Sequence, residues 1–430
     1  MPTSPDPRTE PTSPDAGASH GRPGGSAVPA RTLVALDRPA DGVPPVSTEP
    51  AELAEVIARF AAGHGPVAVD AERASGHRYG QRAFLVQIRR AGAGTALLDP
   101  TSLDDLSPLS DALADTEWVL HAASQDLPCL AELGLRPTRL FDTELGGRLA
   151  GFARVGLASM VEELLGLVLA KEHSAVDWST RPLPEPWLRY AALDVEVLVD
   201  LRDRVAEELE RQGKLAWAWE EFAAVATAPP PPARVDPWRR TSGLHRVRSR
   251  RHLATVRELW LERDQIARSR DVSPGRLLPD SAIIEAALAQ PATAAGLDGL
   301  RGFAGRGAHR YSRRWAEAVR RARAVPDAEL PPQHLPAEGP PPARLWSDRD
   351  PEAAARLAAA RVGLGKLADA FHLPVENLLA PDTVRRLAWE PPRPIDEETV
   401  AEALRQQGAR PWQIELTVST LTLALSTTTD

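Results

Sequence analysis

Four consecutive prolines, Pro229–Pro232, divide this chain more sharply than any other feature of its sequence. A prolyl nitrogen donates no hydrogen bond and its ring fixes φ, so neither a helix nor a central strand passes through such a run. A second proline-rich stretch, Pro326 to Pro342, and a first segment rich in Pro, Ser, Gly and Asp repeat the interruption. Proline reaches 41 of 430 residues, and its clustering reads as linkers rather than as turns within one core. The expected organisation is a disordered segment over 1–46, a first domain over 47–226 and a proline-rich linker over 227–240. A helical domain over 241–325, a second linker over 326–349 and a last helical domain over 350–430 follow.

Within 47–226 the hydrophobic period changes along the chain. A helix is expected from near Thr48, with Pro50 in its first turn and Leu53, Val56, Ile57 and Phe60 on one face. Short strand-like runs follow at Pro66–Asp70, Ala83–Ile88, Ala96–Pro100 and Trp118–His121, with one more candidate at Arg139–Asp142. After Gln125 the pattern is otherwise helical to about Ala224. Strands first, with helices interleaved and trailing, predict an α/β domain built on a mixed sheet. From Trp238 to Ala324, and again from Asp350 to about Ser426, the pattern is helical throughout, which predicts two small all-α domains.

The single cysteine, Cys129, excludes an internal disulfide and cannot build a zinc site by itself, which fits a reducing cytoplasm. The first residues contain no apolar signal core, and no apolar run approaches the ~20 residues that span a bilayer, so no membrane partner is expected. Ile414 to Leu425 is apolar but interrupted by Glu415 and several Thr, and reads as a core helix. The net charge of −8 argues against nucleic-acid binding, but its distribution does not. Arg234 to Arg323 holds 20 arginines, no lysine and nine acids, a net +11, which leaves −19 on the remainder. Such asymmetry points to a phosphate-binding module joined to an acidic one. Arg/Glu pairs at helical spacing explain part of it as a solvated, salt-bridged surface, but not the excess.

Three acidic positions carry the chemistry. In Asp70-Ala71-Glu72, strand alternation puts both carboxylates on one face. Two like charges at the end of a buried strand are costly unless a cation or an arginine pairs with them; alone, an exposed strand end explains the pair better. Asp126 follows an apolar strand and opens a helix, where the macrodipole accounts for an acid without further function. Tyr190 and Asp194 lie one turn apart on a helix beginning near Pro186, so they share a face. Leu188, Ala191, Leu193, Val195 and Leu198 surround them, and an acid on so apolar a helix needs a partner.

Taken together, Asp70-x-Glu72, Asp126 and Tyr190-x-x-x-Asp194 resemble the DEDD superfamily of exonucleases, and the Tyr four residues before the last Asp marks its DEDDy subclass. The strings Ala170-Lys-Glu-His-Ser174, Asp177-Trp-Ser179 and Arg181-Pro-Leu183 precede Trp187-x-x-Tyr190. With Phe141-Asp-Thr143 they narrow the resemblance to ribonuclease D, over roughly Pro66 to Gln212. It implies a ribonuclease H-like α/β exonuclease domain that trims RNA, such as tRNA precursors or other structured RNA, from the 3′ end and releases nucleoside 5′-monophosphates. It also implies two divalent ions, Mg²⁺ or Mn²⁺, with Asp70 bridging both. Glu72 and Asp194 complete the water-activating site, Asp126 supports the second ion, and Tyr190 orients the attacking water through its hydroxyl. Phosphodiester hydrolysis suits this set, because two ions about 3.5–4 Å apart serve the attacking and leaving oxygens and hard cations take oxygen ligands.

His121, Lys171 and Trp178 are candidate substrate contacts, along with His173. For each a bland alternative stands: a satisfied structural histidine, a surface lysine, a tryptophan packing its loop. Two positions depart from the family pattern, Arg73 where an apolar or aromatic residue is usual and Gln125 where Glu is frequent. Residues 245–325 resemble the HRDC domain of ribonuclease D and RecQ-type helicases, which implies a nucleic-acid anchor. The last domain resembles a degenerate second HRDC-like copy; it is not basic, and packing explains it as well as binding. RNA is the expected partner and the expected state is a monomer. Two rival readings remain: a DNA 3′→5′ exonuclease, since the same acids serve both, and a non-catalytic RNA-binding scaffold, against which the complete acid set argues.

Overall fold

A computed structural model describes residues 33–103, 105–170, 175–230, 232, 234–335 and 339–427. Among the described residues the first domain has eight strands: β1 Val34–Leu36, β2 Val46–Ser47, β3 His64–Arg73, β4 Ala83–Ala91, β5 Gly94–Leu98, β6 Glu117–Leu120, β7 Arg139–Asp142 and β8 Leu167–Leu169. Six of them form one sheet in the order β2-β5-β4-β3-β6-β7. β4 runs antiparallel to β3 and β5, whereas β3, β6 and β7 are mutually parallel, so the sheet is mixed as the sequence predicts. Val67, Ala68 and Val69 of β3 are all buried, as befits a central strand covered on both faces. The helix Pro50–Ala62 supplies Leu53, Val56 and Phe60 to that core and opens with a capping box between Glu49 and Glu52.

The disordered segment expected over 1–46 needs correction at its end. Residues 1–32 lie outside the described residues, but β1 pairs in parallel with β8 and β2 extends the main sheet beside β5. Strands of three and two residues are too short to show a period, which is why the sequence hides them.

The second domain packs the helices Arg250–Arg270, Asp280–Ala289 and Ser312–Ala324 around Leu259, Ile266, Ile283, Phe303 and Trp315. Trp238 is buried in this core, so the domain begins within the expected linker 227–240. The third domain also starts early. Trp346 is buried inside the expected linker 326–349 and donates from Nε1 to the Pro341 carbonyl at 2.8 Å. Its main helices are Pro351–Ala370, Pro381–Trp389, Glu397–Gln406 and Pro411–Leu425. No helix among the described residues is long and apolar enough to cross a membrane.

The first and third domains share one continuous apolar cluster, while the second keeps its own. At their junction Trp412 stacks on Trp217 of the helix Leu215–Ala226, with ring centroids 5.0 Å apart. Trp412 Nε1 donates to Glu221 Oε1 at 3.0 Å, and Arg410 lies 3.3 Å from the same carboxylate. Trp412→Ala should cost about 3–5 kcal/mol in urea unfolding followed by tryptophan fluorescence. Trp412→Phe keeps an aromatic ring but removes the N–H that donates to the buried Glu221 carboxylate, and should cost about 1–3 kcal/mol. Losses below about 0.5 kcal/mol in both would mean that the two bodies merely abut.

Candidate active site

The ladder between β3 and β4 pairs Asp70 with Gln87 and Glu72 with Leu85, then shifts register before Arg73 meets Ala83. An irregularity at this point ends regular pairing and re-aims the side chains beside it. Asp70 and Glu72 occupy one face of β3, with Ala71 buried on the other. Gln87, fully buried opposite Asp70, donates from Nε2 to Asp70 Oδ2 at 2.5 Å.

Asp126 reaches the site through a tight turn after β6, in which Ala122 is left-handed with φ 58°. Asp142 holds that turn. Its carboxylate accepts from the backbone N–H groups of Ala122 at 3.0 Å and Ala123 at 2.8 Å, and also caps the helix Thr143–Ala150 by accepting from Glu144 and Leu145. The Phe141-Asp-Thr143 string therefore positions Asp126, a role its sequence alone does not reveal. The third contribution is the helix Glu185–Glu196, where the Tyr190 hydroxyl hydrogen-bonds the Asp194 carboxylate one turn on.

Asp70, Glu72 and Asp194 each bring a carboxylate oxygen within 4.8 Å of the others. Asp126 lines the same cavity, of about 240 Å³, but is drawn to Arg73, whose Nη2 lies 3.2 Å from Asp126 Oδ1. Burial is the largest influence on all four acids and pushes each carboxyl above its ordinary range. Glu72 rises to about 10, helped by Asp70, Asp194 and Asp126, and Asp126 rises to about 8, helped by Asp70. Asp70 and Asp194 move the same way. Burial and the neighbouring carboxylates also raise the Tyr190 phenol, so it stays protonated and acts as a donor. Carboxyls that resist ionisation in each other's company, with no thiol among them, fit a hard divalent cation.

His121 lines this cavity, with Nδ1 2.9 Å from Thr143 Oγ1. Burial lowers its pKa to about 4, so it offers a neutral imidazole and no positive charge. Gln125, one of the two departures from the family pattern, is exposed at the rim. Of the two alternatives for Trp178, a tryptophan packing its loop is the one its surroundings match. At 0% exposure it packs edge-on against Trp187 and lies 6.5 Å from the Tyr190 ring, so it supports the tyrosine and has no face for a base. Lys171 and His173 lie outside the described residues. A second cavity, of about 360 Å³, continues from Glu72 and Arg73 past Gly76, His77 and Gln81 to Val176.

The acids impose a pH dependence with a definite sign. Glu72 and Asp126 keep their protons to about 10 and about 8 in the folded metal-free chain, against ordinary values of 4.5 and 3.8. Between those limits the folded state binds more protons than the unfolded one, so these groups lower stability as pH rises. In chelator, the melting temperature should fall from about pH 5 to about pH 9, and less steeply in Glu72→Gln. Mn²⁺ should raise it more at the upper pH than at the lower, with protons released on binding. A pH-independent increment would contradict a cation held by these carboxylates.

Residues 45–210 match the family described as 3′-5′ exonuclease, and residues 252–319 match the HRDC domain. The last domain, expected as a degenerate HRDC-like copy, matches a family of its own over residues 339–425, described as the 3′ to 5′ exonuclease C-terminal domain. A ribonuclease D of Gluconacetobacter diazotrophicus is 36% identical over 286 residues, covering 64% of this chain and 71% of that protein. One of Acidiphilium cryptum is 32% identical over 383 residues, covering 85% and 94%. A crystal structure of a protein from Bifidobacterium adolescentis superposes with a TM-score of 0.84 at 39% identity, covering 92% of this chain and 100% of that one. The crystal structure of Escherichia coli RNase D, described as an exoribonuclease involved in structured RNA processing, gives a TM-score of 0.62 at 27% identity, covering 85% and 99%. With relatives matched over most of their length and the acids of its cleft converging, the chain belongs to the ribonuclease D family of 3′→5′ exoribonucleases.

Proposed function

We propose that this chain removes nucleotides from the 3′ ends of structured RNA, tRNA precursors among them, and releases nucleoside 5′-monophosphates. The convergence of Asp70, Glu72 and Asp194, with Tyr190 hydrogen-bonded to the last, carries the reading. Asp70, Glu72, Asp194 and Asp126 would hold two divalent cations, Mg²⁺ or Mn²⁺. Such ions supply hydroxide at neutral pH and neutralise charge on the leaving oxygen.

The chain's own residues do the rest. Tyr190 keeps its proton, so its hydroxyl can orient a water by hydrogen bonding and does not abstract a proton from it. Arg73 is shared by the two cavities and offers its guanidinium to a phosphate lying between them. His121, neutral, can exchange hydrogen bonds with a ribose, and Lys171 remains a candidate phosphate contact. The net +11 over Arg234 to Arg323 makes the HRDC domain the anchor for RNA, through phosphate contacts that weaken with salt. The single buried cysteine, Cys129, suits the cytoplasm, where we take the chain to act as a monomer.

Activity on a labelled RNA with a free 3′ hydroxyl should vanish in chelator and return with Mg²⁺ or Mn²⁺. Asp70→Asn and Asp194→Asn should abolish turnover while RNA binding persists. Full activity in chelator would overturn the metal mechanism, and faster loss of a matched DNA would favour the DNA exonuclease reading. Tyr190→Phe should fold normally and lower kcat by about 10²-fold, with KM little changed, because only the water-orienting hydroxyl is removed. A wild-type kcat in that variant would reduce the tyrosine to packing.

A further inference from the structure

The net +11 of the HRDC region overstates what a ligand can use. Arg263 is spent on Asp280, Arg314 on Glu262, and Arg321 on Glu258 and Glu262. Arg250 and Arg251 are taken up by backbone carbonyls between Ala322 and Pro331. Arg270, Arg306 and Arg310 are different. All three are exposed, and none forms an ion pair among the described residues. They gather with half-buried Tyr311 around one pocket of about 280 Å³, floored by Val272 and Leu277.

The pocket is built into the domain. Tyr311 is braced edge-on by the buried Trp315, with ring centroids 6.1 Å apart, and the Arg310 guanidinium lies 5.8 Å from the tyrosine ring. Gly307 sits where a Cβ would come 2.7 Å from the Arg276 carbonyl oxygen. Only glycine lets the turn bearing Arg306 and Arg310 lie directly on the Arg276–Leu277 backbone.

Arg276 also fixes the direction of the pocket. While its backbone underlies the pocket, its side chain reaches the exonuclease domain, donating from Nε to the Gly76 carbonyl at 3.0 Å and meeting His77 Nδ1 at 2.7 Å. Gly76 and His77 line the cavity that continues from Glu72 and Arg73. The seam is locked on either side. Ser273 N–H donates to the His77 carbonyl at 3.0 Å, and Asp271 pairs with Arg82 at 2.7 Å. One residue thus separates the arginine pocket from the wall of the catalytic cleft.

We propose that the pocket of Arg270, Arg306, Arg310 and Tyr311 is a nucleotide-binding subsite for single-stranded RNA lying upstream of the 3′ end held in the cleft. Arginines suit the phosphates and the braced tyrosine suits a base, the pairing of charge and stacking that single strands use. The subsite rests on the exoribonuclease reading above, but binding is measurable apart from cleavage.

The test uses the full chain and the double variant R306A/R310A, both positions being exposed and outside the catalytic cleft. Fluorescence anisotropy in chelator, with a single-stranded RNA of about 20 nucleotides, reads affinity without turnover. The variant should bind roughly tenfold more weakly, and its salt slope should fall by about 1.4, the expectation for two lost phosphate contacts. In Mg²⁺ its KM on the same RNA should rise by a similar factor, with kcat and the rate on a trinucleotide unchanged. Arg248→Ala is the charge control. It precedes the helix Arg250–Arg270, at the end opposite Arg270, about 30 Å away along the axis. It should change affinity less than twofold. Unchanged binding by the double variant, an equal loss in Arg248→Ala, or an equal loss on the trinucleotide would each overturn the subsite. A wild-type chain that binds the RNA in the pocket-dependent way but never shortens it would overturn the functional reading and leave the subsite standing.

Discussion

At the end of β3 three carboxyl groups share a space in which burial opposes their ionisation, and the surrounding chain is arranged around that conflict. Gln87 donates to Asp70 from the neighbouring strand, Tyr190 donates to Asp194 from its own helix, and Arg73 pairs with Asp126. Each relieves one acid without neutralising the set. A cluster left in that state is uncomfortable by itself and receptive to a small, hard cation, which is the condition a metal-dependent hydrolase requires of its resting site.

The acids were legible because they sit where secondary structure makes side-chain direction predictable. Alternation on β3 aligned Asp70 with Glu72, and one helical turn aligned Tyr190 with Asp194. What stayed hidden depends on contacts between distant segments. Asp142 enters the sequence argument only within the Phe141-Asp-Thr143 string, and only the fold shows that its carboxylate both caps the following helix and pins the Ala122–Ala123 turn that delivers Asp126. Trp178 is indistinguishable in sequence from a base-stacking residue until the sheet and the Tyr190 helix close over it. β1 and β2 exist only because β8 and β5 present edges to them.

Inside the proline-rich stretches read as linkers, Trp238 and Trp346 are already buried in the cores that follow. Composition suggested two helical modules of one kind. Packing separates them: the HRDC domain keeps its own core and touches the exonuclease domain through a mainly polar seam in which Tyr79 packs on that core, whereas the last domain merges its apolar interior with that of the catalytic body. The acid-rich and arginine-rich parts of the chain are thereby kept in register without a shared hydrophobic interior. A polar seam of this kind is screened by salt to a degree that a stacked indole pair is not.

The stacking of Trp412 on Trp217 has a topological consequence. Because the segments before and after the HRDC domain fold into one body, that domain is an insertion tethered at both ends, not a bead at the end of a string. A domain held at both ends is confined beside the body that carries the cleft, where any ligand it binds would stay at a high effective concentration. That confinement comes from chain connectivity and not from the strength of any single contact.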